Sequence, residues 1–83
     1  MKVFVLTVER ADDSGIHFDA VPFQTHEEAN DEAVRRVQAF KNDIVRDFLK
    51  DGFIDENKQN SHYCTTNWSM HLYAYCTIKE WDI

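Results

Sequence analysis

Glycine, proline and cysteine are scarce in this sequence, which contains two, one and two of them respectively. Two isolated glycines cannot form the glycine-rich loop that cradles a phosphate. Two cysteines cannot build a disulfide framework, and they are not spaced as C-x-x-C. No apolar run is long enough for a membrane span or for the core of a signal peptide. We therefore expect a soluble cytoplasmic protein with reduced thiols and no membrane contact.

Basic residues are also in the minority. Nine Lys and Arg oppose 15 Asp and Glu, which gives a formal net charge of −6. A nucleic-acid backbone needs a positive surface, so direct binding to nucleic acid is disfavoured. The negative charge suits a basic partner, or it serves simply to keep the chain in solution.

The composition is that of one small globular domain. The 83 residues are too few for two ordinary domains, and an aromatic content of 13% is too high for a disordered chain. A chain of this size buries only about 60–65% of its unfolded surface, which makes a deep enclosed active site hard to build. We predict a single domain over residues 1–83.

The first 23 residues predict a β-hairpin. Residues 2–9 (KVFVLTVE) are largely apolar on both alternating faces, which is typical of a central strand. Residues 10–15 (RADDSG) have the composition of a turn, and residues 16–23 form the second strand. Pro22 lacks an N–H donor, so this second strand should lie at a sheet edge.

A long helix follows. Thr25 and Glu28 form a capping box, with the Thr25 hydroxyl accepting from the backbone N–H three residues on. Apolar residues then recur at helical spacing at Ala29, Ala33, Val37, Phe40, Ile44 and Phe48. The pattern predicts a helix over 26–51 that ends before Gly52. It would be about 39 Å long against about 27 Å for an eight-residue strand, so the helix either overhangs the sheet or breaks near Asn42.

Residues 61–78 contain no Asp, Glu, Lys or Arg. The alternation over 72–78 predicts a strand, residues 63–68 offer a further strand, and residues 55–61 read as a polar loop. The predicted fold is α+β, in the order β-β-α-β. It has an antiparallel sheet of three to four strands in spatial order 2-1-3, with the helix packed on one face.

One helix can cover only one face of this sheet. We assign Leu72, Ala74, Cys76 and Ile78 to the helix side, which leaves Tyr73 and Tyr75 on the other face with Trp81 nearby. Tyr and Trp are frequent in binding hot spots, although the same residues can fill an ordinary core. The main hypothesis is a non-catalytic protein-binding module that uses this face to bind a second copy of itself, as a homodimer, or another protein. The candidate partner-binding residues are Tyr73, Tyr75, Trp81 and Trp68.

Catalytic and metal chemistry has weaker support. His62, Cys64 and His71 are ligand-type residues within a short stretch, but they lack the spacing of known zinc motifs. Cys64 beside a histidine could also act as a nucleophile. We predict no cofactor, no metal and no catalytic residue. A small metal-binding or thiol enzyme built on these three residues remains the third hypothesis.

The second hypothesis comes from the acidic first turns of the helix and from a resemblance. The start MKVFVLTVE, the helix opening THEEA and the ending IKEWDI resemble those of small uncharacterised proteins of bacteria and their phages. The resemblance covers the two ends and the helix start, and it implies no catalytic residues. Some phage-borne examples inhibit host defence, and some of those are acidic mimics of DNA. The resemblance therefore implies, as an alternative, an acidic inhibitor of a nucleic-acid-binding enzyme from a phage or mobile element.

Overall fold

The computed structural model of the chain describes residues 1–12, 14–47, 53–66 and 71–83. Within these ranges the chain forms one helix and five strands, and the strands make a single antiparallel sheet in the order β2-β1-β5-β4-β3. The elements are β1 (Lys2–Asp12), β2 (Gly15–Phe23), α1 (His26–Asp47), β3 (Phe53–Lys58), β4 (Ser61–Thr66) and β5 (Tyr73–Asp82). The predicted α+β class is confirmed.

The sheet is larger than the sequence predicted. The C-terminal strand β5 lies beside β1, but it also carries β4 and β3 on its other side, so the count of three to four strands and the order 2-1-3 are wrong in detail. The predicted polar loop over 55–61 is instead the hairpin of β3 and β4 with a turn at 59–60. The strand β3 (FIDENK) lies at the sheet edge and is polar on most positions, so it lacks the apolar alternation that would have revealed it.

The β1–β2 hairpin turns more tightly than predicted, because β1 continues to Asp12. The carboxylate of Asp12 accepts hydrogen bonds from the backbone N–H and the hydroxyl of Ser14. These bonds, the hydroxyl's first, lower the pKa of Asp12. Gly15 has a φ of +123°, a conformation that side chains other than hydrogen rarely permit. The strand β2 then runs along the outside of the sheet, where Pro22 needs no ladder partner on its free side.

Helix α1 begins with the predicted capping box. The backbone N–H of Glu28 donates to Thr25 Oγ1 over 3.1 Å, and the Thr25 hydroxyl donates to Glu28 Oε1 over 3.0 Å. The reciprocal bond therefore involves the Thr25 hydroxyl rather than its backbone N–H.

Among the described residues, no helix is long and apolar enough to cross a membrane.

Helix α1 is continuous through residue 42, so of the two alternatives, an overhanging helix or a broken one, the break does not occur there. The break was inferred from a mismatch in length, and the longer strand removes that mismatch. The 22 helical residues span about 33 Å, against about 37 Å for the 11 residues of β1. Gln38 donates to Asn42 one turn later over 3.0 Å, and both Phe40 and Ile44 stay buried against the sheet. The predicted helix end at 48–51, with Phe48 and Gly52, lies outside the described residues.

The core lies between α1 and one face of β1, β5 and β4. The helix contributes small residues, which let it approach the sheet, and larger residues nearer its end. The buried cluster comprises Leu6, Val8, Ala29, Ala33, Val37, Phe40, Ile44, Cys64, Leu72, Ala74, Cys76 and Ile78. Val34 is half exposed at the flank of the helix, beside β3 and β4.

Ion pairs fix the helix over the sheet from both sides. Arg36 bonds Asp19 on β2 over 3.1 Å, and Lys41 bonds Asp55 on β3. These contacts hold α1 to one face of the sheet. Among the described residues, no helix or strand packs against the opposite face.

Candidate functional site

The face of the sheet that points away from α1 is the candidate site, and we call it the open face. Strand alternation and the pairing register place one residue in two of every strand on this face. Its members are Val3, Val5, Thr7, Glu9 and Ala11 of β1; Ile16, Phe18, Ala20 and Pro22 of β2; Tyr73, Tyr75, Thr77, Lys79 and Trp81 of β5; Ser61, Tyr63 and Thr65 of β4; and Ile54, Glu56 and Lys58 of β3.

Aromatic side chains form a row across the open face. The register sets Phe18 opposite Glu9, Glu9 opposite Tyr75, and Tyr75 opposite Tyr63, so one line crosses four neighbouring strands. The rings of Tyr63 and Tyr75 meet edge to face with centroids 6.0 Å apart, and Tyr63 lies 6.3 Å from the ring of Tyr73. Such pairs stabilise one another beyond their burial and hold the rings in place.

Several of these side chains remain accessible. Phe18 is 73% exposed, Ile16 60%, Trp81 56% and Tyr75 40%. An exposed apolar residue is ordinary when it stands alone, but these four lie on one face of one sheet. The open face therefore carries an unusual share of the large apolar surface that the chain leaves in water.

A shallow depression lies on the open face over β2, β1 and β5. It has a volume of about 450 Å³ and lies between the Phe18 and Tyr75 side chains, with Glu9 at its floor. Thr7, Ala20 and Thr77 complete the lining on the open face. A depression with two aromatic walls and a carboxylate at its floor can accept an apolar side chain or a cation.

The open face is electrically balanced, although the chain is not. It carries two carboxylates, Glu9 and Glu56, and two ammonium groups, Lys58 and Lys79. Lys58 bonds Glu56 over 2.8 Å, and this bond raises the pKa of Lys58 and lowers that of Glu56. The Tyr73 hydroxyl donates to the Glu9 carboxylate, which raises the pKa of Tyr73. The net charge of −6 therefore lies elsewhere on the chain.

The predicted partner-binding residues fall into two groups. Tyr73, Tyr75 and Trp81 all lie on the open face, on alternate positions of β5. Trp68 lies outside the described residues. Phe18 and Ile16, which were not among the predicted residues, also lie on the open face and are more exposed than either tyrosine. The alternation of apolar and polar residues along 16–22 was the signal that could have found them.

The weak metal candidates are not assembled into a site. His62 and Cys64 share the helix-facing side of β4, while His71 is exposed in the turn before β5. Both ring nitrogens of His62 already have side-chain partners. Its Nε2 lies 2.7 Å from Asn30 Oδ1, and its Nδ1 lies 3.1 Å from Asn57 Oδ1. Burial lowers the pKa of His62. In the part of the chain that the structure describes, no group of three His, Cys, Asp or Glu could hold a metal ion.

The two thiols have the properties of core residues. Burial, followed by a hydrogen bond with Asp55, raises the pKa of Cys64 to about 12. Burial is also the leading cause of the shift for Cys76, whose pKa rises to about 11. A nucleophilic cysteine needs a lowered pKa, because the thiolate is the reactive form. Neither environment favours a thiolate at neutral pH.

The acidic start of α1 is less negative than its sequence suggests. Glu32 is bonded to both Arg35 and Arg36, the latter over 2.7 Å. The bonds to Glu32 and then Asp19 raise the pKa of Arg36. Glu27 and Glu28 are exposed in the first turn, where the helix dipole favours negative charge.

The chain matches no protein-family model, and comparisons with curated proteins and with solved structures found no significant relative. Function is therefore inferred from the chain's own residues.

Proposed function

We propose that this protein is a non-catalytic protein-binding module that self-associates through the open face of its sheet. The observation that carries the proposal is the collection of exposed Phe18, Ile16, Tyr75 and Trp81 on one face of one sheet. Covering that surface would remove large apolar side chains from water, which is the main driving force of protein association.

A second copy of the chain is the occupant that the charges favour. Two molecules of net charge −6 repel one another over most of their surfaces. The open face carries equal numbers of acidic and basic groups, so it is where two copies can meet without that repulsion. Charge depletion with aromatic enrichment is also the composition of an interface core.

The size of the open face fits a dimer. Five strands at about 4.8 Å spacing, six to eleven residues in length, give a face of about 24 by 28 Å, on the order of 670 Å². Stable interfaces bury about 800 Å² per partner. The projecting side chains add surface that the area of a flat rectangle does not include. Two such faces would pack as a sandwich with their sheets about 10 Å apart.

Sedimentation velocity over a range of concentrations tests the proposal. We expect the apparent mass of the wild-type chain to approach twice its monomer mass of 9.8 kDa at micromolar concentration. Phe18→Ser and Tyr75→Ser should weaken association at least tenfold, because each removes a large apolar contact. Val34→Ser is the matched control, since Val34 is 50% exposed but lies on α1. A wild-type chain that stays monomeric, or equal effects of all three variants, would overturn the proposal.

The second candidate is an acidic inhibitor of a nucleic-acid-binding protein. It draws on the exposed carboxylates Glu27, Glu28 and Asp31 of α1, on the side of the molecule away from the open face. The paired state of Glu32 weakens it. Competition with duplex DNA for a basic DNA-binding protein, lost in Glu27→Gln/Glu28→Gln/Asp31→Asn, would support this candidate. Competition unchanged in that variant would remove it.

A further inference from the structure

The open face carries opposite charges at equal distances from one row of residues. The register pairs Thr7 with Thr77, Val5 with Lys79, and Glu9 with Tyr75. Glu9 and Lys79 therefore lie two positions to either side of the Thr7–Thr77 row, about 6.8 Å away along the strands. The two threonine hydroxyls contact one another. The register continues this row through Ala20 on β2 and Ser61 on β4 to Lys58 on β3, whose ammonium group is paired with Glu56 of the same chain.

This arrangement matches itself under one particular rotation. Consider a two-fold axis that lies parallel to the sheet and crosses the strands at the Thr7–Thr77 row. It places a second copy face to face with the first, with each strand over its own counterpart running in the opposite direction. A residue two positions to one side of the row then faces the residue two positions to the other side.

The rotation gives a chemically matched partner to each end of β5. Lys79 of one copy lies over Tyr75 of the other and one strand away from Glu9, about 4.8 Å to the side. Its ammonium group can reach the Glu9 carboxylate and the face of the Tyr75 ring. Trp81 lies over Tyr73 of the other copy. The same contacts occur twice in the dimer.

Resting on the proposed self-association, we infer that the dimer axis crosses the Thr7–Thr77 row. Lys79 of each copy then occupies the depression between Phe18 and Tyr75 of the other and pairs with its Glu9. Phe18 and Tyr75 wall the depression, and its floor carries the carboxylate that a lysine needs.

Other symmetric arrangements lack this match. An axis parallel to the strands, between β1 and β5, sets Lys79 over Val5 and Glu9 over Tyr75. Lys79 of one copy then lies four positions along the strands, about 13.6 Å, from Glu9 of the other. Pairing through the free edge of β2 would leave the open face uncovered, and Pro22 supplies no N–H to such a ladder. The axis at the Thr7–Thr77 row brings Lys79 beside Glu9 and buries the rings together. It also sets the Lys58 side chains of the two copies opposite one another at the β3 edge, where each is already paired with its own Glu56.

Charge reversal with mixing of chains tests the inference. Glu9→Lys alone gives a dimer with two Lys–Lys contacts, and Lys79→Glu alone gives one with two Glu–Glu contacts. Each should weaken self-association at least tenfold, because close charge pairs across an interface are strongly coupled. An equimolar mixture of the two variants restores both opposite-charge pairs, so it should form heterodimers at close to wild-type affinity.

Two controls separate this inference from the proposed function. Arg35→Glu changes the net charge as Lys79→Glu does, but on the outer side of α1, and should leave association unchanged. Lys79→Met keeps an apolar stem, so it should weaken association less than Lys79→Glu does. This comparison remains informative even if Glu9→Lys folds poorly because it loses the bond between Glu9 and Tyr73. If Lys79→Glu dimerises as tightly as wild type while Phe18→Ser does not, the register is wrong and the proposed function stands. A monomeric wild type overturns both.

Discussion

The Tyr73 hydroxyl donates a hydrogen bond to the Glu9 carboxylate across the diagonal between β5 and β1. This bond holds a half-buried carboxylate on an otherwise uncharged part of the open face, between the rings of Phe18 and Tyr75. A single acidic group among aromatics gives the surface an orientation that a purely apolar patch would lack. The same bond makes Glu9 an anchored charge rather than a mobile one, which favours specific pairing.

The helix cap should contribute measurably to stability. Thr25→Ala removes the acceptor for the Glu28 backbone N–H and should lower the free energy of unfolding by about 1 kcal/mol. Thr25→Ser keeps the hydroxyl and should cost only a fraction of that. Urea denaturation followed by circular dichroism measures both. Equal losses in the two variants would show that the cap hydroxyl is not the cause.

Phe40 joins the helix to the core. It is fully buried, and the Arg10 guanidinium lies 5.8 Å from its ring centroid. Phe40→Ala should lower the free energy of unfolding by about 3–5 kcal/mol, because it removes a large side chain and leaves a cavity. Val34→Ala, at a half-exposed position on the flank of the same helix, should cost less than about 1 kcal/mol. Similar losses for both would contradict the assigned helix face.

His62 should make the fold less stable in mild acid. Burial lowers the pKa of His62 from its ordinary value of 6.5, so the unfolded chain binds the proton more readily than the folded one. Stability is therefore complete above about pH 7 and declines as the pH falls through 6.5. His62→Gln, which can still bond Asn30 and Asn57, should flatten this decline between pH 7 and 5.5. Urea midpoints across that window measure it, and an unchanged slope in the variant would assign the effect elsewhere.

The thiols should be inert in the folded protein. With pKa values raised to about 12 for Cys64 and about 11 for Cys76, little thiolate exists at pH 8, and both groups are buried. A thiol reagent at pH 8 should therefore label neither residue in native buffer and both in denaturant. Rapid labelling of Cys64 in native buffer would revive the hypothesis of a thiol enzyme.

The sequence predicted the features that depend on local pattern. The capping box at Thr25, the helical face from Ala29 to Ile44 and the adjacency of β1 and β5 all follow from spacing and alternation. It did not predict β3, because an edge strand that faces water on most positions needs no apolar alternation. It left a break near Asn42 open as an alternative because it underestimated the length of β1, which continues to Asp12.

On the open face, too, some features follow from the local sequence pattern and others do not. Alternation along β5 placed Tyr73 and Tyr75 opposite the helix side, whereas the row that joins Phe18 to Tyr75 depends on the register between three strands. A one-residue slip would move every side chain to the other face, and the sequence alone does not fix register. The equal spacing of Glu9 and Lys79 from the Thr7–Thr77 row is likewise a property of pairing rather than of either strand.

The most direct measurement is hydroxyl-radical footprinting of the wild-type chain at low and high concentration, with oxidation quantified by mass spectrometry. If a second copy covers the open face, oxidation of Phe18, Tyr75 and Trp81 should fall several-fold as the concentration rises, while that of Val34 on α1 stays constant. Phe18 and Tyr75 that remain equally reactive at every concentration would contradict self-association through this face.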